Sequence, residues 1–216
     1  MRSDIDIKRD VEAELKWSPD VDDTDIAVKV NGGEVTLSGY VRNYFETYRA
    51  EVAAKRVKGV AAVANDIEVR PFPSAPADPE IARAALATLK SELPMSWESI
   101  RLVVHQGRVT LDGTVDWQYQ RERAESAVRH INGVLGVVNS IRIQPKVAPQ
   151  NIKKKIEDAF QRLAQVDAGH IAVETSGPEV TLRGEVRSWA ERDQAQQTAW
   201  SAPGVAKVIN ELTVRT

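Results

Sequence analysis

The residues able to do chemistry are few, and their spacing does not bring them together. The chain contains no cysteine, which excludes disulfides, zinc–thiolate sites and thiol catalysis. Its three histidines, His105, His130 and His170, share no common spacing with each other or with a carboxylate. A metal site, or a general base with its orienting partner, needs such spacing. The run Asp20-Val21-Asp22-Asp23-Thr24-Asp25 has the carboxylate density of a calcium loop but lacks the glycine at loop position six and the glutamate at position twelve. Helix capping and a solvated loop are the roles expected of it. No phosphate-binding glycine loop, nucleophile elbow or His-Glu-x-x-His pair is present. These residues predict no catalytic site, no metal and no cofactor.

One constellation does recur, an aromatic group interleaved with arginines. Tyr40, Tyr44, Phe45 and Tyr48 lie beside Arg42 and Arg49. Trp117 and Tyr119 lie beside Arg121 and Arg123, and Trp189 beside Arg187 and Arg192. Amphipathic rings beside cations suit a membrane interface, where the ring sits at headgroup level and the cation meets lipid phosphate. The same rings can serve instead as caps on a hydrophobic core. The basic run Lys153-Lys154-Lys155 fans round a helix and reads as a solvated face.

The elements that must position these residues come in threes. Val35-Thr36-Leu37-Ser38-Gly39, Val109-Thr110-Leu111-Asp112-Gly113 and Val180-Thr181-Leu182-Arg183-Gly184 are followed twenty residues later by Gly59-Val60, Gly133-Val134 and Gly204-Val205. Asn65, Asn139 and Asn210 stand six residues further on. Upstream, Ile7/Val11/Leu15, Ile81/Ala85/Leu89 and Ile152/Ile156/Phe160 recur every fourth residue, one face of a helix. Asp78-Pro79 reads as an N-cap and a proline at the first helical position. Alternating Ile26/Val28/Val30, Ile100/Leu102/Val104 and Ile171/Val173/Thr175 predict a half-buried strand.

Asn31-Gly32-Gly33-Glu34, Gln106-Gly107 and Ser176-Gly177-Pro178 turn that strand into the Val-Thr-Leu strand as a hairpin. A second helix follows, with Asn43 and Ser188 at capping-box spacing from Glu46 and Glu191, and Trp117 and Gln120 as a weaker pair in the middle copy. Its buried face is small: Ala50/Ala54/Val57, Ala124/Val128/Ile131 and Ala195/Ala199/Ala202. Each unit is therefore α-β-β-α-β, and proline-containing spacers separate the units. The glycines Gly39, Gly113 and Gly184 read as a bulge or close approach of backbones, and Gly59, Gly133 and Gly204 as left-handed residues after the second helix. The three asparagines read as turn or strand-start residues whose side chains bond the backbone.

The Val-Thr-Leu-x-Gly segment, the later Gly-Val and the asparagine resemble the BON domain family, named for bacterial OsmY and nodulation, in all three copies. That resemblance implies an α+β fold: three small tandem domains, each a three-stranded mixed sheet with two helices on one face and its last strand parallel to the second. The expected domains are 1–71, 77–145 and 149–216. It also implies a non-enzymatic protein that binds phospholipid or another membrane-surface ligand and is linked to osmotic or envelope stress. The candidate lipid contacts are Trp117, Tyr119, Arg121, Arg123, Tyr44 and Trp189. The alternative is a soluble protein–protein adaptor that uses its copies for avidity. A net charge of −2 argues against nucleic acid as a partner. Many members carry two copies and a secretory signal, whereas this chain has three copies and opens on an amphipathic helix with no apolar signal-peptide core, so a cytoplasmic address is the expectation.

Overall fold

The computed structural model describes residues 2–146, 151–163 and 168–215. Within them the same five elements recur three times. The first repeat comprises α1 (Asp4–Trp17), β1 (Ile26–Asn31), β2 (Glu34–Val41), α2 (Tyr44–Arg56) and β3 (Ala62–Val69). The second comprises α3 (Asp78–Glu92), β4 (Ile100–His105), β5 (Arg108–Val115), α4 (Gln118–Arg129) and β6 (Gly136–Ile143). The third comprises α5 (Ile152–Arg162), β7 (Ile171–Ser176), β8 (Glu179–Val186), α6 (Trp189–Trp200) and β9 (Lys207–Val214). Residues 147–150 of the second spacer, and the terminal Met1 and Thr216, lie outside the described residues.

Each repeat has its own three-stranded sheet, with the hairpin's second strand at the centre. β1 runs antiparallel to β2 with Val28 opposite Leu37, and β3 runs parallel to β2 with Asn65 opposite Leu37. β7, β8 and β9 repeat this register with Val173, Leu182 and Asn210. Both helices cover one face. The fourfold-spaced residues of α1, α3 and α5 are buried, as are Leu37, Leu111 and Leu182 of the central strands. Ala50, Ala53 and Ala54 of α2 are also buried. Side chains that short let the helix lie close on the sheet, which a leucine stripe would not.

The motif glycines are required by geometry. Gly39, Gly113 and Gly184 have φ of +118°, +136° and +132°, and a Cβ there would lie 1.9–2.0 Å from the carbonyl oxygen of Asp25, Ser99 or His170. The first strand's lead-in therefore crosses directly over the second strand's backbone. Gly59, Gly133 and Gly204 have φ of +94°, +86° and +93°.

The asparagines stand in mid-strand, not in a turn or at the strand start, and each holds a helix to its sheet. Asn65 donates Nδ2–H to the carbonyl of Thr47 on α2 (3.0 Å) and accepts from the Ile67 N–H (3.3 Å). Asn139 donates to Glu125 (3.1 Å) and Asn210 to Gln196 (2.8 Å), each accepting from the N–H two residues on. A strand-sequence pattern shows an asparagine, but only the packing shows the helix it reaches.

Asp78 is likewise not the N-cap. Ala77 occupies that place, and Asp78 and Pro79 are the first two helical residues. The Asp78 carboxylate accepts the Gln106 and Gly107 N–H groups (both 2.8 Å), and Asp4 takes those of Gly32 and Gly33 (2.8 and 3.0 Å). Both residues of these two hairpin turns have positive φ. Their successive N–H groups make a concavity that a carboxylate fills. The third repeat has Pro149 at the corresponding place in the sequence, and its turn is Gly177-Pro178, in which only the glycine has positive φ.

Candidate functional site

The start of each second helix is organised by one buried polar side chain. Glu46, Gln120 and Glu191 are equivalent and buried. The Gln120 Oε1 accepts the Asp116 and Trp117 N–H groups (both 3.0 Å), and Glu191 accepts that of Arg187 (2.7 Å). Asn43 and Ser188 accept in return from the Glu46 and Glu191 N–H groups (3.0 and 3.1 Å), completing the capping box. Burial pushes the Glu46 carboxyl above its ordinary range, against the backbone N–H groups that hold it down. These groups satisfy the helix end, and their chemistry is structural.

Around that scaffold the aromatic residues fare differently in each copy. In the first, Arg42 lies 5.4 Å from the Tyr40 ring centre and 5.2 Å from that of Phe72, while Arg70 lies 4.8 Å from Tyr40. A hydrogen bond to Asp25 raises the Tyr40 phenol above its ordinary range. Phe45 meets the His130 ring at 4.0 Å, and Arg129 sits 3.7 Å over Tyr48, so these two rings join the first repeat to the second. Arg49 pairs with Asp20 at 3.0 Å. Tyr44, the first residue of α2, is half-buried.

In the third copy Trp189 is half-buried under Arg192 (5.1 Å), whose guanidinium donates to the Leu212 and Asn210 carbonyls (both 3.0 Å). That arginine braces the last strand.

The second copy differs. Trp117, just before α4, is 36 % exposed and Tyr119, in its first turn, is 59 % exposed. Arg121 is half-buried. Arg123 is exposed but donates to Glu92 of α3 at 2.8 Å. Among the described residues of the recurring aromatic–arginine groups, this copy holds the most exposed ring, Tyr119, and its Arg123 is paired with Glu92.

Two features were missed in the sequence. The Tyr40–Arg42–Arg70–Phe72 stack joins residues far apart in the chain, and no local spacing announces it. The outer face of the second sheet carries Val103 (63 % exposed) and Val138 (52 % exposed). Strand parity could have found them, since both fall on the side opposite the buried Val109 and Ile141. Among the described residues no group of three or more histidine, aspartate or glutamate side chains could hold a metal ion, and no helix is long and apolar enough to cross a membrane.

Comparison with known proteins gives a family and a relative. The BON domain family matches three times, over residues 3–71, 77–145 and 150–216. Osmotically-inducible protein Y of Escherichia coli (strain K12) is 31 % identical over 144 residues, covering 64 % of this chain and 72 % of that protein. Two solved chains of CdsD, a structural protein of the type III secretion system of Chlamydia trachomatis, are each 16 % identical. Their TM-scores are 0.25 and 0.26, with 97 % and 100 % of this chain and 92 % and 100 % of theirs covered, and no conclusion follows from a likeness of that size. The E. coli relative corrects one expectation: it is a periplasmic protein, which conflicts with the cytoplasmic address. A leader is removed on export, so an amphipathic first helix carries no information about compartment.

Proposed function

The chain belongs to the BON domain family, three copies in tandem, and from that premise we propose that it is a stress-linked binding protein that docks on anionic membrane surfaces through the start of α4. The observation that carries the reading is the exposure of Trp117 and Tyr119, two large rings at a helix start whose buried stripe is already supplied by Ala124 and Val128. A ring of this kind gains by lying at headgroup depth, its apolar body among acyl chains and its polar atom in water. Arg121 beside them supplies local positive charge to a chain whose net charge is −2. Similarity to an osmotically inducible protein supports the link to osmotic stress. The family and this relative are non-enzymatic, in keeping with a binding role.

Flotation with anionic and with zwitterionic vesicles tests this. The wild type is expected to float with anionic vesicles, less so as salt rises. Trp117→Ala with Tyr119→Ala should remove most of the recovery. Arg123→Ala should cost less than Trp117→Ala, because Glu92 already neutralises that guanidinium. Equal recovery of wild type and the double ring variant would exclude this surface.

A further inference from the structure

The three sheets expose their outer faces, and the three faces are chemically different. On the third, Arg183 bonds Glu211 (2.6 Å) and Glu174 (2.9 Å), and Lys207 pairs with Glu179 (2.9 Å), so the face satisfies its own charges. On the first, small exposed side chains, Ala27, Ala62 and Ala64, make a shallow surface. It carries Glu34, Asp66 and Glu68 against Lys29 and Arg70, and Arg70 already pairs with Glu68 at 2.6 Å. On the second, Val103 and Val138 stand out from the sheet, with Arg101 and Arg108 against Asp112. Among the described residues Lys29, Glu34, Asp66, Arg101, Arg108 and Asp112 make no ion pair.

We infer that the outer sheet face of the second repeat docks on the outer sheet face of the first repeat of another copy of this chain. The relief matches, since two valine side chains that protrude on one face meet alanines on the other. The charges match as well. Arg101 and Arg108 meet the face that carries the unpaired Glu34 and Asp66, and the unpaired Lys29 meets the face that carries the unpaired Asp112. Two sheets that pack face to face interdigitate side chains across about 10 Å, and a protruding row over a flat row achieves that without displacing either. The third face satisfies its own charges, and its Ile209, which stands where the second face has Val138, is only half-exposed.

A patch three strands wide, about 14 Å, and about 20 Å long covers about 280 Å² per partner, below the size of stable specific interfaces, so the association is weak and transient, on the order of tens of micromolar or more. Because the two faces differ, each chain can bind one neighbour through each, and the contact is heterologous, leading to growing assemblies unless the geometry closes.

Sedimentation of the full chain tests this with two variants. One carries Glu34→Arg and Asp66→Arg and keeps only its second-repeat face. The other carries Val103→Asp and Val138→Asp and keeps only its first-repeat face. All of these positions are exposed, and circular dichroism is to check that each variant folds. The wild type is expected to grow in mass with concentration and to shrink with salt. Each variant alone should be monomeric, with at least tenfold weaker association, and a mixture of the two should form a one-to-one dimer that grows no further. A wild type that stays monomeric up to about 0.5 mM, self-association by either variant, or no dimer in the mixture would overturn the proposal. So would vesicle flotation that depends on Val103 and Val138, since the face would then be a lipid surface. Flotation of the Trp117 and Tyr119 variant is read separately, so failure of one proposal leaves the other standing.

Discussion

The inner and outer faces of the same three sheets obey different rules. On the inner side each repeat has the same glycine beneath a carbonyl, the same mid-strand asparagine held to its helix and the same buried Glu or Gln at the second helix start. On the outer side the central row reads Lys29, Thr36, Ala64 in the first repeat and Glu174, Thr181, Ile209 in the third, and Val103 lies opposite Thr110 in the second. The inner side is constrained because close-packed side chains and buried polar groups leave one solution. Water accepts almost any side chain on the outer side, so what differs there is available for binding. Function in this protein is to be sought where the repeats disagree.

The strongest way to break that contrast is to disturb the inner side. Gly113→Val should cost at least about 3 kcal/mol, since a side chain at positive φ is strained and its Cβ would overlap the Ser99 carbonyl. Thermal melting should show loss of the second repeat. An unchanged melting curve would show that the backbones can separate there at little cost.

Asn139→Ala should come next, at about 1–2 kcal/mol, because it removes a helix-to-sheet hydrogen bond and an acceptor for the Ile141 N–H. Denaturant titration checks this, and the same change at Asn65 should behave alike if the repeats share one inner design.

A smaller effect is expected at Asp78, with a definite pH dependence. The Gly107 and then the Gln106 N–H groups lower its carboxyl below the ordinary range. Its contribution is therefore present above an unfolded value of about 4 and is lost as pH falls through the lower folded value. Wild type and Asp78→Asn should differ in stability at pH 7 and converge as the pH falls below that lowered folded value. Parallel curves across that range would mean that the amide accepts those bonds equally well.

The smallest change belongs to the outer side. Val103→Thr should alter stability by no more than about 0.5 kcal/mol, even though the residue is a valine in mid-strand. A larger loss would mean that the outer face contributes to the fold.

Periodicity and register made the architecture readable without coordinates. A fourfold apolar spacing can bury only one helix face, a twofold spacing only one strand face, and three copies in register remove the ambiguity of a single short motif. The motif glycines could be read as places of close backbone approach for the same reason. What the sequence left open was where polar and aromatic groups end up. Arg123 looks like a free cation until α3 brings Glu92 to it, and Phe45 and Tyr48 look like an exposed cluster until the second repeat brings up His130 and Arg129. Asp78 looks like a cap until the hairpin presents two N–H groups to it. Local patterning is set by neighbours three or four residues away, so the chain itself carries it. Pairing of charges and rings depends on residues about thirty to eighty positions apart, and only the folded backbone brings those within a few ångströms.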